Sequence, residues 1–207
     1  MYKCHRAVGP VIIDGLLDEA DWQISRAVQL VDLFGNPPLQ PTTVRAMSLG
    51  DMLYVGFEVW DREIWATMAQ RDDKVWMEEA VEFFISPPRL YPRAYYEFQI
   101  SPRNVVRDIA VTWGSDGQRS LNADWDCHGL ETAVHLEERG EWKVWTCEVA
   151  LPMLSLSGGV CNACEDGQDW MINFFRIDRR PRLEYSCWSP TFEPNFHLPE
   201  RFGRLLL

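Results

Sequence analysis

Along most of this chain apolar and polar residues alternate with the period of two that a half-buried β-strand requires, and few stretches carry the 3.6-residue period of a helix. The alternation marks strands over residues 80–86, 95–100, 105–111, 130–136, 142–150 and 170–177. Residues 42–49 and 53–60 read as the arms of a hairpin turning at Gly50-Asp51. Ile12-Ile13-Asp14 reads as the end of a first strand stopped by Gly15, and Asp18-Glu19-Ala20-Asp21-Trp22 then offers an N-cap with acids in the first turn of a short helix. Trp22 is the residue expected to pack that helix onto the core. Regularly spaced strands with turn signals between them predict an all-β, antiparallel sandwich of Ig-like or jelly-roll-like type with one or two short helices.

At 207 residues the chain suits one sandwich domain over residues 1–207, since such folds run to about 200–250 residues. A formal charge of −11 disfavours nucleic acid and anionic membranes as partners, because both demand a basic footprint. No run of about 18 apolar residues exists to cross a bilayer as a helix. Met1-Tyr2-Lys3-Cys4-His5-Arg6 is not followed by the apolar core of a signal peptide, so the sequence leaves localisation open. Six cysteines are an even count, and Cys161-Asn162-Ala163-Cys164 forms a CxxC pair. Neither a βαβ pattern nor a second ligand pair accompanies it, so it reads as two thiols in the loop that runs from Ser155 to Gly167.

The passage from Arg71 to Ile85 carries the most chemistry. An acidic loop bearing Trp76 runs straight into a strand in which Val81, Phe83 and Ile85 point one way while Glu82 and Phe84 point the other. Asp72, Asp73, Glu78 and Glu79 are expected to face solvent around the indole, making Trp76 and Glu82 the wall of a cleft.

Ile13-Asp14-Gly15 with Asp18-Glu19 and Trp22, the 42–60 hairpin, and Arg71-Asp72-Asp73 with Trp76 and Val81-Glu82-Phe83-Phe84-Ile85 give the chain a resemblance to the family 9 carbohydrate-binding modules, within the wider group of sandwich domains that bind sugars or haem. The resemblance covers nearly the whole chain. It continues through Tyr96-Glu97-Phe98-Gln99, Leu151-Pro152, Trp170 with Asn173-Phe174-Phe175-Arg176-Ile177, Trp188-Ser189-Pro190-Thr191, and the closing Phe196-His197-Leu198-Pro199-Glu200-Arg201-Phe202-Gly203. It implies a non-catalytic sandwich that grips a mono- or oligosaccharide between tryptophans, requires no cofactor, allows structural calcium, serves polysaccharide degradation or uptake, and acts outside the cytoplasm. The implied contacts are Trp76, Glu82 and Gln99, then Asn173, Arg176 and Trp188.

Sugar chemistry supports the same residues. A pyranose presents C–H groups on its faces and hydroxyls round its rim, so aromatic plates such as Trp76 and Trp188 suit the faces. An ionised Glu82 would accept charge-assisted hydrogen bonds, while Gln99 and Asn173 both donate and accept. Arg71, Arg103 and Arg176 are alternative partners that would make Glu82 structural. Two further readings stand beside this one. Glu79 with Glu82, or Glu82 with Glu97, would serve a glycosidase if about 5–5.5 Å or 6.5–9.5 Å apart, and Met77, His128, Met153 or His197 would ligate haem. Asn122-Ala123-Asp124-Trp125-Asp126 places oxygen side chains at alternate positions, as calcium loops do, but without the glycine and glutamate of an EF-hand.

Overall fold

The computed structural model describes residues 1–156 and 169–207, so the CxxC pair and most of the loop around it lie outside the described residues. Two sheets face one another. The larger contains β1 (Tyr2–Lys3), β4 (Val31–Asp32), β7 (Ala80–Ser86), β8 (Ala94–Ile100), β9 (Val106–Trp113), β10 (Arg119–Asn122), β13 (Asp169–Asp178), β14 (Glu184–Cys187) and β15 (Gly203–Leu206). Its main path runs β1-β15-β13-β7-β8-β9-β10, with β14 on β13 and β4 on β14. The smaller sheet runs β11 (Glu131–Arg139), β12 (Trp142–Pro152), β6 (Met52–Asp61), β5 (Thr42–Leu49), β2 (His5–Arg6), with β3 (Val28–Gln29) also on β5. Pairing is antiparallel except where the N-terminal strands β1 and β2 join β15 and β5 in parallel.

The hairpin closes where the sequence places it, Leu49 opposite Met52, with Gly50 at φ 61°. Period two then sorts the side chains. Leu53, Val55, Phe57 and Val59 of β6, with Trp145, Cys147, Val149 and Leu151 of β12, turn inward against Val81, Phe83 and Ile85 of β7 and Ile172 and Phe174 of β13.

The larger sheet is apolar on its outer face as well. Phe84, Tyr95, Ile109, Val111, Phe175 and Ile177 form a second layer there, covered by the C-terminal segment through Phe196 and Phe202. This is why every residue of β7 is buried.

On the outer face of the smaller sheet a short α-helix (Ala20–Ile24) packs through Trp22, which is fully buried. It sits over Gly56, where an added Cβ would lie 2.5 Å from Leu17 and 3.1 Å from Trp22. Ile12-Ile13-Asp14 is not a strand: the Asp14 and Gly15 amides donate instead to the Glu148 carboxylate at 3.0 and 2.7 Å, and Trp22 Nε1 donates to the same group at 2.8 Å. Nor does a side chain cap the helix: Glu19, at the N-cap, accepts from the Ile12 amide, while Asp21, the acid expected in the first turn, pairs with His5. Among the described residues no helix is long and apolar enough to cross a membrane.

Candidate functional site

The second apolar layer lines a half-open cavity of about 340 Å³. Its floor is built by register. Glu82 of β7 lies opposite Gln99 of β8 and Phe84 opposite Glu97, so all four side chains share the outer face. Ile109 of β9 follows opposite Glu97. Arg119 and Leu121 of β10 line the cavity on one side and Ile177 and Tyr185 on the other, while Pro194, Asn195, Phe196 and His197 come from the covering segment.

Trp76 enters from the 3₁₀ turn Val75–Met77, anchored by the fully buried Val75 and by Arg179, whose Nη2 donates to the Trp76 carbonyl at 2.7 Å. The Arg107 guanidinium lies 4.8 Å from the centre of the half-exposed indole ring. Phe196 stacks on Phe175 with centroids 4.2 Å apart. Beside it His197 Nδ1 meets the Tyr95 hydroxyl at 2.8 Å, a side-chain partner where a haem ligand was one expectation.

The polar floor is acid-rich and incompletely bonded. Glu82, Glu97 and Gln99 are 1%, 3% and 3% exposed. Gln99 Nε2 donates to Glu97 Oε1, yet Glu82 Oε1, Glu97 Oε2 and Gln99 Oε1 are all buried without a hydrogen-bond partner. Burial, reinforced by the neighbouring Glu97 charge, pushes the Glu82 carboxyl far above the carboxylate range. Burial also raises Glu97 to about 7, against the opposing pull of the Gln99 amide, Arg107 and Arg119. The shift favours the neutral form of Glu82, which donates as well as accepts, over the ionised acceptor expected from sequence. Desolvation lowers His197 to about 3, with Arg119 adding to the effect, so its 3.9 Å approach to Glu97 Oε2 involves a neutral ring and is no ion pair.

The other three expected contacts lie elsewhere. Arg176 is opposite Val81 and so on the inward face, where its Nη2 pairs with Asp61 at 2.6 Å and with Glu79 and Asp178 at 3.2 Å each. Asn173 shares the outer face with Phe84 but is spent on backbone: it donates to the Ser189 carbonyl at 2.9 Å and accepts from the Ser189 and Phe174 amides. Trp188 packs between the sheets, edge-on to Tyr2, with its ring against Gly203. Glu78 and Glu79 are buried too, accepting from the amides of Thr67, Met68 and Trp65 instead of facing solvent.

The carboxylate groupings outside the cavity each hold a guanidinium. Asp61, Glu79 and Asp178 surround Arg176, and Asp72, Asp108 and Asp126 surround Arg71. In the segment with oxygen side chains at alternate positions, Asn122 Oδ1 accepts from the Asp124 amide and Asp126 bonds Arg71. Of the haem candidates, Met77 and His128 are exposed and Met153 is in the core.

A half-open, aromatic-walled cavity with unpaired polar atoms on the outer face of a sandwich has the form of a small-ligand site. Residues 13–207 match the model of carbohydrate-binding family 9, and the chain belongs to that family. It is 25% identical over 184 residues to an extracellular protein of Arthroderma benhamiae, covering 82% of this chain and 79% of that one. In fold it is similar to a Bacteroides uniformis protein proposed to bind carbohydrate, with a TM-score of 0.79 at 18% identity over 99% of this chain and 97% of the other. It is also similar to a family 9 module of Caldicellulosiruptor kristjanssonii solved with cellotriose, with a TM-score of 0.62 at 16% identity over 99% and 93%. The same module solved with glucose gives 0.62 at 15% identity over 99% and 95%.

Proposed function

We propose that this domain binds carbohydrate in the outer-face cavity and does no chemistry on it. The observation that carries the reading is the set of three buried, unpaired oxygens on Glu82, Glu97 and Gln99. A buried acceptor without a donor costs roughly 1–3 kcal/mol, and a ligand rich in hydroxyls removes that cost while its C–H faces lie against Trp76 and the aromatic layer. Glu82 gives and accepts, Glu97 and Gln99 accept, and Trp76 supplies the plate. Relatives solved with glucose and cellotriose support the same reading, and service to polysaccharide degradation or uptake is the role it fits.

Glycoside hydrolysis is the weaker reading, because Glu82 and Glu97 stand side by side on adjacent strands of one wall, whereas glycosidase carboxyls flank the bond they cleave. Titration calorimetry with glucose, xylose, cellobiose and cellotriose tests the proposal. Saturable binding that disappears in Trp76→Ala, with Tm nearly unchanged, is the expected result. A panel without heats, or binding undisturbed in Trp76→Ala, would remove sugar stacking from this cavity.

A further inference from the structure

Buried acids in this molecule follow a pattern. Asp61, Glu79 and Asp178 enclose the buried Arg176, and the buried Asp108 pairs with Arg71 at the surface. Glu148, alone, is satisfied by two backbone amides and the Trp22 indole. The cavity pair departs from it. Among the described residues neither Glu82 nor Glu97 has a cationic side chain in ion-pair contact, although both are at least 97% buried. Arg107 is engaged otherwise, donating to the Asp72 carbonyl at 2.6 Å and lying over Trp76. Arg119 belongs to the exposed strand β10 and lines the cavity's side. His197 is the remaining basic group, and it is bound to Tyr95.

Among the residues that line the cavity, the buried unpaired atoms are all oxygens: Glu82 Oε1, Glu97 Oε2 and Gln99 Oε1. A hydroxyl offers such a cluster one proton, whereas an ammonium offers three and also brings positive charge. We propose that the cavity takes a sugar bearing a free amino group, whose ammonium stands between Glu82 and Glu97, the two acids that no cationic side chain of the described residues contacts. The inference rests on carbohydrate binding at this site and narrows it to a class of sugar.

Binding of the ammonium form shifts the pair toward its ionised state and so releases protons, with Arg107, Arg119, His197 and Tyr95 the other titratable groups facing it. The test is calorimetry on the intact protein at mildly acidic pH, comparing glucosamine and its β-1,4-linked dimer with glucose, cellobiose and N-acetylglucosamine. Each titration is run in two buffers of different ionisation enthalpy. The amines are expected to bind at least about tenfold tighter than their neutral counterparts, with a buffer-dependent heat that the neutral sugars lack. Glu97→Gln, which keeps the shape and removes the charge, brings amine and neutral sugar to similar affinity. Glucose or cellobiose binding as tightly as the amines in the unaltered protein overturns the inference and leaves carbohydrate binding standing. Silence from every sugar overturns both.

Discussion

Replacing Arg176 by methionine keeps the aliphatic bulk and removes the guanidinium from among Asp61, Glu79 and Asp178. Arg176 is 1% exposed, and besides its three carboxylate contacts its Nη1 donates to the carbonyls of Gln40 and Trp60 at 3.1 and 3.2 Å. Taking one partner from a buried ionic group costs about 3–5 kcal/mol, which for a chain of this length lowers Tm by about 6–20 °C. The loss depends on pH. In the intact protein burial holds Asp178 at about 6, while burial and the adjoining Asp61 hold Glu79 at about 9, both above their ordinary values. Raised carboxyls contribute most to stability below their ordinary range and lose that contribution as pH rises through the folded values. Without Arg176 both rise further, so the deficit grows from pH 4 toward pH 9 and shrinks in acid. Urea denaturation across that range measures it, with sugar affinity followed in parallel. A variant that melts within about 1 kcal/mol of the parent but no longer binds sugar would refute this structural assignment and return Arg176 to the cleft.

Trp188→Ala, which empties the space above Gly203, lowers stability by roughly 3 kcal/mol and leaves sugar titrations unchanged. In the reverse direction, Gly203→Ala sets a Cβ 2.3 Å from the same ring and costs about 1–3 kcal/mol, readable as a Tm shift. Glu97 is raised to about 7, so the parent loses stability as pH climbs from its ordinary range to neutrality. Glu97→Gln flattens that slope and is the more stable protein above pH 7, by roughly 1–3 kcal/mol in denaturant titrations.

Six of the long strands and the 42–60 hairpin can be read directly from the sequence, because period two sends successive side chains to opposite faces even in β7, where both faces are buried. The two-residue strands cannot, since Tyr2–Lys3 or Val28–Gln29 carry no period and exist through their partners. At the cavity the same rule works where it is applied consistently. It sends Glu82 and Phe84 outward together, and the spacing of two between Glu97 and Gln99 sends that pair to one face. It also forbids a joint role for Asn173 and Arg176, three apart on one strand and therefore on opposite faces. What no local pattern carries is the distant partner: Tyr95 for His197, Gly203 for Trp188, Arg71 for Asp108. Glu78 and Glu79 were misplaced for a related reason, since a carboxylate that accepts loop amides is as polar in sequence as one in water.

The three bonds gathered by the Glu148 carboxylate span 126, 133 and 134 residues, and β1 pairs with β15 across almost the entire chain. At translation rates of about 5–20 residues per second, the first strand waits roughly 10–40 s on the ribosome before its partner is made. β1 thus cannot complete its pairing until β15 is made, and Tyr2 with the apolar residues around it is surface a nascent chain must keep shielded in the interval.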